Sequence, residues 1–446
     1  MGLTSSTSDH YVLRYEDTTP NNTLEHNRPA KYPRKASKVH PTNTPLPHAN
    51  HGPTAPLSPP GERLIKSKSQ IVLPNTDKYN NLRNNLITRP SMPNILIPLK
   101  APDKGMKYSE KYNWLIKNGD LNNYTLNDFE FGKVIGKGLM GTVRVCKITK
   151  KNKYFVLKSI RKDYIEKHHD HRHIRNERLV LSTLTSLFCT RYFGNFQDRY
   201  YIHFALEYCP GGELFHRLGR KKFFIPSVAK FYATEIFSAL DHMHSLNFMY
   251  RDLKPENVIL DEEGHCKLVD FGFSRPCNDD DRIHTLCGTP AYLSPEQLDG
   301  KLTNGYTRVV DWWSFGVLLY ELLTGKTPFS NRTGESHYEI FLRILKSKIW
   351  FPLSFDSKSK ELICALCHAN VEKRLCDPGL IKVNAYFEMP WDMVEQRKLV
   401  PPFIPKLKDE GDHHYFKTYH DNGFPPNYKS DNDKDNYQPD QLFFDF

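Results

Sequence analysis

The chain lacks the long apolar runs of membrane-spanning helices. A span needs roughly 20 predominantly apolar residues, and the longest apolar stretch here, from Val317 to Leu323, is short and interrupted by Glu321. The chain also lacks the cysteine spacing of a disulfide framework, because its nine cysteines are scattered between Cys146 and Cys376. Nothing at the N-terminus resembles a secretory signal. We therefore expect a cytoplasmic protein in a reducing compartment.

Motifs for nucleic-acid recognition are also missing, although the chain is basic. Its formal charge is +11, and residues 1–127 contain 17 Lys+Arg against 9 Asp+Glu, so that this part carries +8 and the rest only +3. Without an RNA-binding or zinc-finger pattern we expect no specific nucleic-acid partner. A weaker alternative remains, in which the basic N-terminal region binds nucleic acid in a salt-dependent way.

Composition and periodicity divide the chain into five segments. The N-terminal segment is rich in Pro, Asn, Ser, Thr and His without helical or strand periodicity, which predicts a disordered basic extension. A short helix and linker are expected next, then a strand-rich region with one helical stretch around Arg172 to Leu184, a mainly helical region and a polar tail. The segments are residues 1–107, 108–128, 129–209, 210–392 and 393–446.

A glycine-rich stretch, "IGKGLMGTV", lies between two strand-like runs of the third segment. It places Gly136, Gly138 and Gly141 where missing Cβ atoms would let backbone amides approach a triphosphate. Alone, such a pattern is more often a flexible hairpin. The motifs that follow it in order change this interpretation: "FVLK", "NER", "YRDLKPEN", "VDFG" and "SPE".

In this order the motifs resemble the eukaryotic protein kinase superfamily over about residues 127–392. The resemblance implies an α+β, bilobal protein kinase fold, with a small antiparallel β-sheet lobe that holds one key helix and a larger, mainly helical lobe. It also implies ATP and Mg²⁺ as cofactors, with Asn257 and Asp270 as the metal ligands, since Mg²⁺ prefers hard oxygen atoms. The wording "DLKPEN" is typical of serine/threonine kinases.

The residue types of these motifs suit phosphoryl transfer. Lys158 would hold the α- and β-phosphates, and Glu177 would orient it through an ion pair. Asp252 would accept or orient the proton of the substrate hydroxyl, while Lys254 would neutralise charge on the moving γ-phosphate. The resemblance adds further nucleotide-binding positions: Gly136, Lys137, Gly138, Gly141, Val143, Val156, Glu207, Cys209, Glu213 and Ile259.

The stretch "HTLCGTPAYLSPEQL" resembles the activation segment of the AGC group, especially that of the cyclic-AMP-dependent protein kinase catalytic subunits. Thr285 matches the activating phosphothreonine of that family. A phosphate there needs cations, and the matching positions are Arg251, Arg275 and His173. We therefore expect phosphorylated Thr285 to tie the activation loop to the catalytic loop and to the helix of Glu177.

Three acidic residues, Glu213, Glu256 and Glu321, match the positions of this family that receive arginines two and three places before the phosphoacceptor. Carboxylates suit guanidinium because the fork geometry gives paired, charge-assisted hydrogen bonds. Two alternatives stay open: Glu256 only supports the site, and Glu321 is a buried ion-pair partner within its helix. The expected motif is Arg-Arg-x-Ser/Thr-hydrophobic, with the hydrophobic residue in a pocket lined by Leu286, Pro290 and Leu293.

The first residues, "MGLTSS", fit the pattern for myristoylation of Gly2. One myristoyl chain binds membranes only marginally, and the basic residues between Arg28 and Lys38 would add attraction to anionic lipids. We expect at most a weak, peripheral membrane association. The alternative is that the basic run merely keeps a disordered segment soluble.

The last residues, "QLFFDF", match the F-x-x-F hydrophobic motif that ends the C-terminal tail in the AGC group. Phe443 and Phe446 would be its two anchors. Their rings are expected to enter a groove of the small lobe beside the helix of Glu177, which would hold Glu177 toward Lys158.

The sequence therefore predicts a serine/threonine protein kinase that acts on basic protein motifs. No segment resembles a cyclic-nucleotide-binding domain, so the resemblance implies a separate regulatory subunit that responds to cyclic nucleotides. Two alternatives remain: a catalytically silent kinase fold that only binds partners, and an AGC kinase that cyclic AMP does not control.

Overall fold

The structure is a computed structural model, and it describes residues 126–138, 140–149, 153–299, 304–330, 334–417, 419 and 443. Gly2, the basic extension, the helix expected after residue 107 and Phe446 lie outside the described residues. The described residues form a sheet-based small lobe and a helical large lobe. No helix among them is long and apolar enough to cross a bilayer.

The small lobe is built on a five-stranded antiparallel sheet with the order β1-β2-β3-β5-β4. Strand side chains alternate between the two faces, so Phe155 and Leu157 pack in one apolar cluster while Val156 and Ile160 pack in another. Lys158 shares the face of Val156. The strands are β1 Phe129–Lys137, β2 Gly141–Ile148, β3 Lys153–Arg161, β4 Tyr192–Gln197 and β5 Tyr201–Glu207.

Two helices, α1 Lys162–His168 and α2 His171–Thr183, connect β3 to β4. The sequence predicted only the second, because α1 is seven residues long and buries only Lys162 and Ile165, which is too few to show a helical period. His169, in the left-handed region at φ 53°, ends α1.

The large lobe is organised around two long helices, α4 and α6, which were both predicted from their sequence. Pro226 begins α4 at a position where its missing N–H has no helical partner, and Gly325, at φ 74°, ends α6. The two packed lobes confirm the predicted bilobal kinase fold. The helices are α3 Leu214–Lys221, α4 Pro226–Ser245, α5 Pro295–Leu298, α6 Val310–Thr324, α7 His337–Lys346, α8 Ser357–Leu366, α9 Pro378–Lys382 and α10 Trp391–Glu395.

Short strand pairs beneath the small lobe hold the loops of the cleft. β6 pairs with β8 and β8 with β9, while β10 pairs with β7. All of these pairs are antiparallel, and they fix the two loops that precede β8 and β10. The strands are β6 Gly212–Glu213, β7 Phe248–Met249, β8 Val258–Leu260, β9 Cys266–Leu268 and β10 Arg275–Pro276.

The chain after α10 crosses from the large lobe to the small lobe. The guanidinium of Arg217 lies 3.4 Å from the ring centroid of Phe403, and the Tyr208 hydroxyl donates to the backbone carbonyl of Asp412 at 2.6 Å. At the preceding residue, a Cβ on Gly411 would lie 2.4 Å from the ring of Tyr154 in β3. The tail therefore packs closely against the segment that joins the lobes and against the small lobe.

Gly141, the last glycine of the glycine-rich loop, is required by the sheet. A Cβ at this position would lie 1.8 Å from the carbonyl oxygen of Ser159 on β3, whereas a Cβ on Gly138 would have nothing within 4 Å. We expect Gly141→Ala to lower the free energy of unfolding by about 1–3 kcal/mol or more. The matched control Gly138→Ala should stay within about 0.5 kcal/mol. Urea denaturation of both variants checks this, and equal losses would contradict it.

Candidate active site

The centre of the cleft is an ionic cluster that joins β3, α2 and the loop after β9. Lys158 Nζ lies 2.6 Å from Glu177 Oε1 and 2.8 Å from Asp270 Oδ1. Burial alone would lower the pKa of Lys158, but the carboxylates of Asp270 and Glu177 outweigh it and raise that pKa. Burial raises the pKa of Glu177, which is 1% exposed. A charged Lys158 is therefore held at a fixed place in the cleft.

A second cluster surrounds Asp252 in the loop before β8. Lys254 Nζ lies 2.9 Å from Asp252 Oδ2 and donates to Thr289 Oγ1 at 2.9 Å. The Thr289 hydroxyl in turn donates to Asp252 Oδ1 at 2.8 Å. Sequence reasoning missed Thr289. The feature that could have indicated it is its position directly before Pro290 in the activation segment. Its hydroxyl connects the catalytic loop to the segment that would present a substrate.

The backbone of this loop is held from below by Asp311 of α6, which is fully buried. Its carboxylate accepts from the backbone N–H of Tyr250 at 2.9 Å and of Arg251 at 2.8 Å, and it lies 2.8 Å from Nε2 of His244. Arg251 adopts φ 70°, and these hydrogen bonds stabilise that unusual backbone. Sequence reasoning missed Asp311, although an aspartate within an apolar helix was a signal.

Asn257 and Asp270 have a geometry suited to a divalent cation. The Asn257 amide nitrogen donates to the backbone carbonyl and to Oδ2 of Asp252, both at 2.8 Å. This leaves the amide oxygen as the atom directed away from Asp252. The Asp270 side chain is 46% exposed, so the cleft can reach it. Two hard oxygen donors beside the Lys158 cluster fit Mg²⁺.

The remaining nucleotide-binding positions lie around the same cleft. Gly136 pairs with Val143 across β1 and β2, and Val156 is buried on the cleft face of β3. Ile259 of β8 is paired with Glu213 of β6. Lys137 and Gly138 are exposed at the end of β1, and Cys209 is buried after β5.

Glu207 has a structural bond that the sequence did not indicate. Its carboxylate lies 2.9 Å from Nζ of Lys267 and accepts from the backbone N–H of Arg191 at 3.1 Å. The carboxylate of Glu207 therefore joins the two lobes rather than pointing at a ligand. Its place among the nucleotide-binding residues stays a prediction.

The activation segment approaches the catalytic loop at Thr285. Arg251 Nη1 donates to Thr285 Oγ1 at 3.0 Å, and its Nε donates to the Phe273 carbonyl at 2.7 Å. Burial lowers the pKa of Arg275, and the charges of Arg251 and Arg172 lower it further. Arg251 thus contacts Thr285, and Arg275 is close enough to feel the charges of Arg251 and Arg172.

His173 lies in the first turn of α2. Its Nδ1 lies 3.1 Å from Asp170 Oδ1, and within the described residues no hydrogen bond joins it to Thr285. The charge of Arg172, the preceding residue of α2, acts on Arg275. The role of His173 toward a phosphorylated Thr285 stays a prediction.

Three carboxylates cluster where a substrate would lie. Burial raises the pKa of Glu256, and the charges of Glu213 and Asp252 add to the shift. Burial likewise raises the pKa of Glu321 to about 7, and the charge of Glu256 acts in the same direction. The Tyr292 hydroxyl donates to Glu321, and within the described residues neither Glu256 nor Glu321 forms an ion pair.

The predicted apolar pocket adjoins these carboxylates in the activation segment. Leu286 and Pro290 are half-buried, and Leu293 is 4% exposed. A Cβ on Gly288 would lie 3.4 Å from Leu293 Cδ2, so Leu293 packs beneath the loop. Leu286 and Pro290 are the members that a substrate side chain can reach.

Phe443 of the C-terminal motif occupies a groove between α1, α2 and β4, where it is 3% exposed. Its ring lies 5.1 Å from that of His171 and 5.5 Å from Nζ of Lys162, and its carbonyl accepts from Gln197 Nε2 at 2.8 Å. The sequence "HHDHRH" at the start of α2 predicts a solvated polar stretch, apart from His173. That interpretation was wrong for His171, which packs on the ring.

Phe443→Ala is expected to weaken the docking of the tail by about 1.5–3 kcal/mol, the burial energy of one phenylalanine side chain. The loss should appear as a lower free energy of unfolding and as faster proteolysis after residue 417. Phe223→Ala, at a phenylalanine that is 55% exposed, is the matched control and should change neither. Equal sensitivity of the two variants would contradict the assigned groove.

A lysine and two carboxylates in a cleft between a five-stranded lobe and a helical lobe define a phosphotransferase of the kinase class. A family model described as "Protein kinase domain" matches residues 129–391, more than half of the chain. The chain belongs to the protein kinase domain family.

Comparison with curated relatives shows which group of protein kinases this chain resembles. The chain is 38% identical over 304 residues to the human "cAMP-dependent protein kinase catalytic subunit PRKX", covering 67% of this chain and 83% of the relative. It is 37% identical over 329 residues to a "cAMP-dependent protein kinase catalytic subunit" of Dictyostelium discoideum, covering 72% of this chain but only 49% of the relative. A "RAC family serine/threonine-protein kinase homolog" of the same organism is 39% identical over 290 residues, 64% of each chain. The resemblance to the AGC group is therefore confirmed.

Proposed function

We propose that this chain is a serine/threonine protein kinase that transfers the γ-phosphate of Mg-ATP to serines and threonines preceded by arginines. Asn257 and Asp270 would hold Mg²⁺, which neutralises phosphate charge when bound. Lys158 positions the nucleotide phosphates, and Asp252 orients the substrate hydroxyl and takes up its proton. Lys254 is placed to stabilise negative charge that develops beside Asp252.

Substrate choice follows from one observation: the half-buried carboxylates of Glu256 and Glu321 have no cationic partner among the described residues. Removing a carboxylate from water without giving it a cation is costly, and a substrate guanidinium would offset that cost through charge-assisted hydrogen bonds. Among the described residues Glu321 forms no ion pair, which argues against the alternative of an ion-pair partner within its helix. Glu213, beside Glu256, extends the acidic surface toward a second arginine.

A peptide series tests this specificity. We expect each replacement of an arginine by alanine in an Arg-Arg-x-Ser-Leu peptide to lower kcat/KM by about 10- to 100-fold, the value of one charge-assisted hydrogen bond. Replacing the leucine by serine should have a smaller effect. Equal kcat/KM across the series would contradict arginine selection while leaving phosphotransfer itself intact.

The pH dependence of substrate binding is a further prediction. Glu321 must be ionised to pair with arginine, so KM for an arginine peptide should rise as the pH falls through about 7, the pKa of this buried carboxyl beside Glu256 and Tyr292. Glu321→Gln should remove this dependence. Glu361→Gln, on the exposed face of α8, is the matched control and should retain it. A steep dependence in Glu321→Gln would assign the titration elsewhere.

Regulation is proposed in three parts. Phosphorylated Thr285 would draw Arg251, Arg275 and His173 together, with the charge of Arg172 close by, and order the activation segment. A separate regulatory subunit that binds cyclic nucleotides is proposed from the resemblance, and cyclic-AMP-independent activity of the native complex would refute it. We also propose a cytoplasmic protein with weak membrane association through a myristoylated Gly2, which mass spectrometry of the native N-terminus tests.

A further inference from the structure

A turn between α3 and α4 presents cations and two large apolar side chains together. Arg220, Lys221 and Lys222 are exposed. Phe223 is 55% and Ile225 60% exposed, whereas Phe224 between them is buried at 4%. The apolar side chains therefore stand out from the protein in the midst of positive charge. We call residues 220–225 the basic turn.

The basic turn is held rigidly by the end of α6. Lys222 adopts φ 68°, and the backbone N–H of Phe224 donates to the Leu322 carbonyl at 2.8 Å. A Cβ on Gly325 would lie 1.8 Å from the Lys222 carbonyl oxygen, so the two backbones are in close contact. The exposure of Phe223 and Ile225 is thus fixed by packing and is not the fraying of a loose loop.

Positive charge at the basic turn is uncompensated. The sequence from Leu214 to Thr234 contains five Lys and Arg and no Asp or Glu. Within the part of the chain that the structure describes, the cations of the turn form no ion pair. Lys326, which follows Gly325 and is exposed, adds a further charge beside Lys222.

We propose that the basic turn, together with Lys326, is a docking site for an anionic lipid membrane, with Phe223 and Ile225 inserted among the headgroups. Protein surfaces that bind membranes peripherally insert apolar side chains and attract anionic lipids through Lys and Arg. Each of these basic residues contributes a similar amount to the binding free energy. A nucleic acid would use the cations but would gain nothing from an exposed isoleucine. The combination of charge and protruding apolar side chains therefore favours a bilayer.

Docking in this way would bring the substrate site close to the membrane. Glu213 precedes α3 and the basic turn begins with the last two residues of that helix, so about 12 Å of helix at most separates the acidic substrate surface from the bilayer. Membrane-attached proteins with basic motifs would be the substrates favoured by this geometry. The site is independent of Gly2 and of the basic extension, and it does not require the proposed peptide specificity.

Vesicle co-sedimentation of the full, unacylated chain tests the proposal. We compare vesicles of phosphatidylcholine alone with vesicles that also contain phosphatidylserine. The chain should bind the anionic vesicles, and Lys221→Glu/Lys222→Glu should weaken that binding at least about 30-fold. Phe223→Ser should weaken it about 10-fold or more.

Matched variants on another face of the large lobe provide the control. Lys346→Glu/Lys348→Glu and Trp350→Ser make the same changes at exposed residues of α7 and the loop after it, and they should bind as the unmodified chain does. Thermal unfolding and phosphorylation of a soluble peptide confirm that every variant is folded. Failure of the unmodified chain to bind anionic vesicles overturns the proposal, as does equal binding by both lysine pairs. The proposal is also overturned if Lys221→Glu/Lys222→Glu no longer binds polyglutamate or RNA but still binds anionic vesicles as the unmodified chain does.

Discussion

Asp270→Asn is expected to lower kcat by at least about a thousandfold, with the fold retained. A neutral amide removes both the negative oxygen proposed for Mg²⁺ and the 2.8 Å partner of Lys158, and a bound metal stabilises transition-state charge by several kcal/mol. Steady-state phosphorylation of an arginine peptide measures the loss. Activity within tenfold of the unmodified enzyme would contradict the assignment.

The control for this variant must separate chemistry from folding. Asp270 is 46% exposed, and Lys158 also has a 2.6 Å contact with Glu177 that does not involve Asp270, so thermal unfolding should change little. Asp392→Asn, at an exposed position of α10, makes the same chemical change away from the cleft. It should leave both kcat and the unfolding temperature unchanged.

Arg374→Ala should lower the free energy of unfolding by about 3–5 kcal/mol, the typical effect of removing one partner of a buried ion pair. Arg374 Nη1 and Nη2 lie 2.5 and 2.8 Å from the two oxygens of Glu296, with both side chains nearly fully buried. The guanidinium also lies 5.1 Å from the ring centroid of Trp313. The truncation therefore leaves the Glu296 carboxylate buried without its cation.

An exposed pair provides the comparison for Arg374. Lys358 Nζ lies 2.7 Å from Glu388 Oε1, but the two side chains are 47% and 61% exposed. Lys358→Ala should cost less than about 1 kcal/mol, because water and salt screen such pairs. Denaturant unfolding of both variants measures the difference. Similar losses would show that burial does not govern the contribution of Arg374.

The sequence was most informative about the reactive residues that lie in short motifs. Lys158, Asp252 and Asp270 could be assigned roles because each stands in a pattern of fixed local spacing. The 19-residue separation of Lys158 and Glu177 carries no such information, and their ion pair was expected only through the resemblance to a family. Strand alternation and the apolar helices α4 and α6 likewise predicted the two lobes.

The sequence did not reveal the contacts between residues that lie far apart in the chain and that the fold brings together. Thr289 reaches Asp252 across 37 positions, and Asp311 supports the backbone of Arg251 across 60. No periodicity or spacing links such residues. The placement of His171 against Phe443 is of the same kind, because the ring arrives from the far end of the chain.

Transfer of labelled phosphate tests the central claim most directly. The purified full chain, phosphorylated at Thr285, is incubated with Mg²⁺, ATP labelled in its γ-phosphate and an Arg-Arg-x-Ser-Leu peptide. Phosphotransfer through the Lys158, Asp252 and Asp270 clusters predicts repeated turnover, with label on the peptide serine and one ADP formed for each phosphoserine. Nucleotide binding without label on the peptide would contradict it, and would make this chain a kinase fold that binds partners without catalysis.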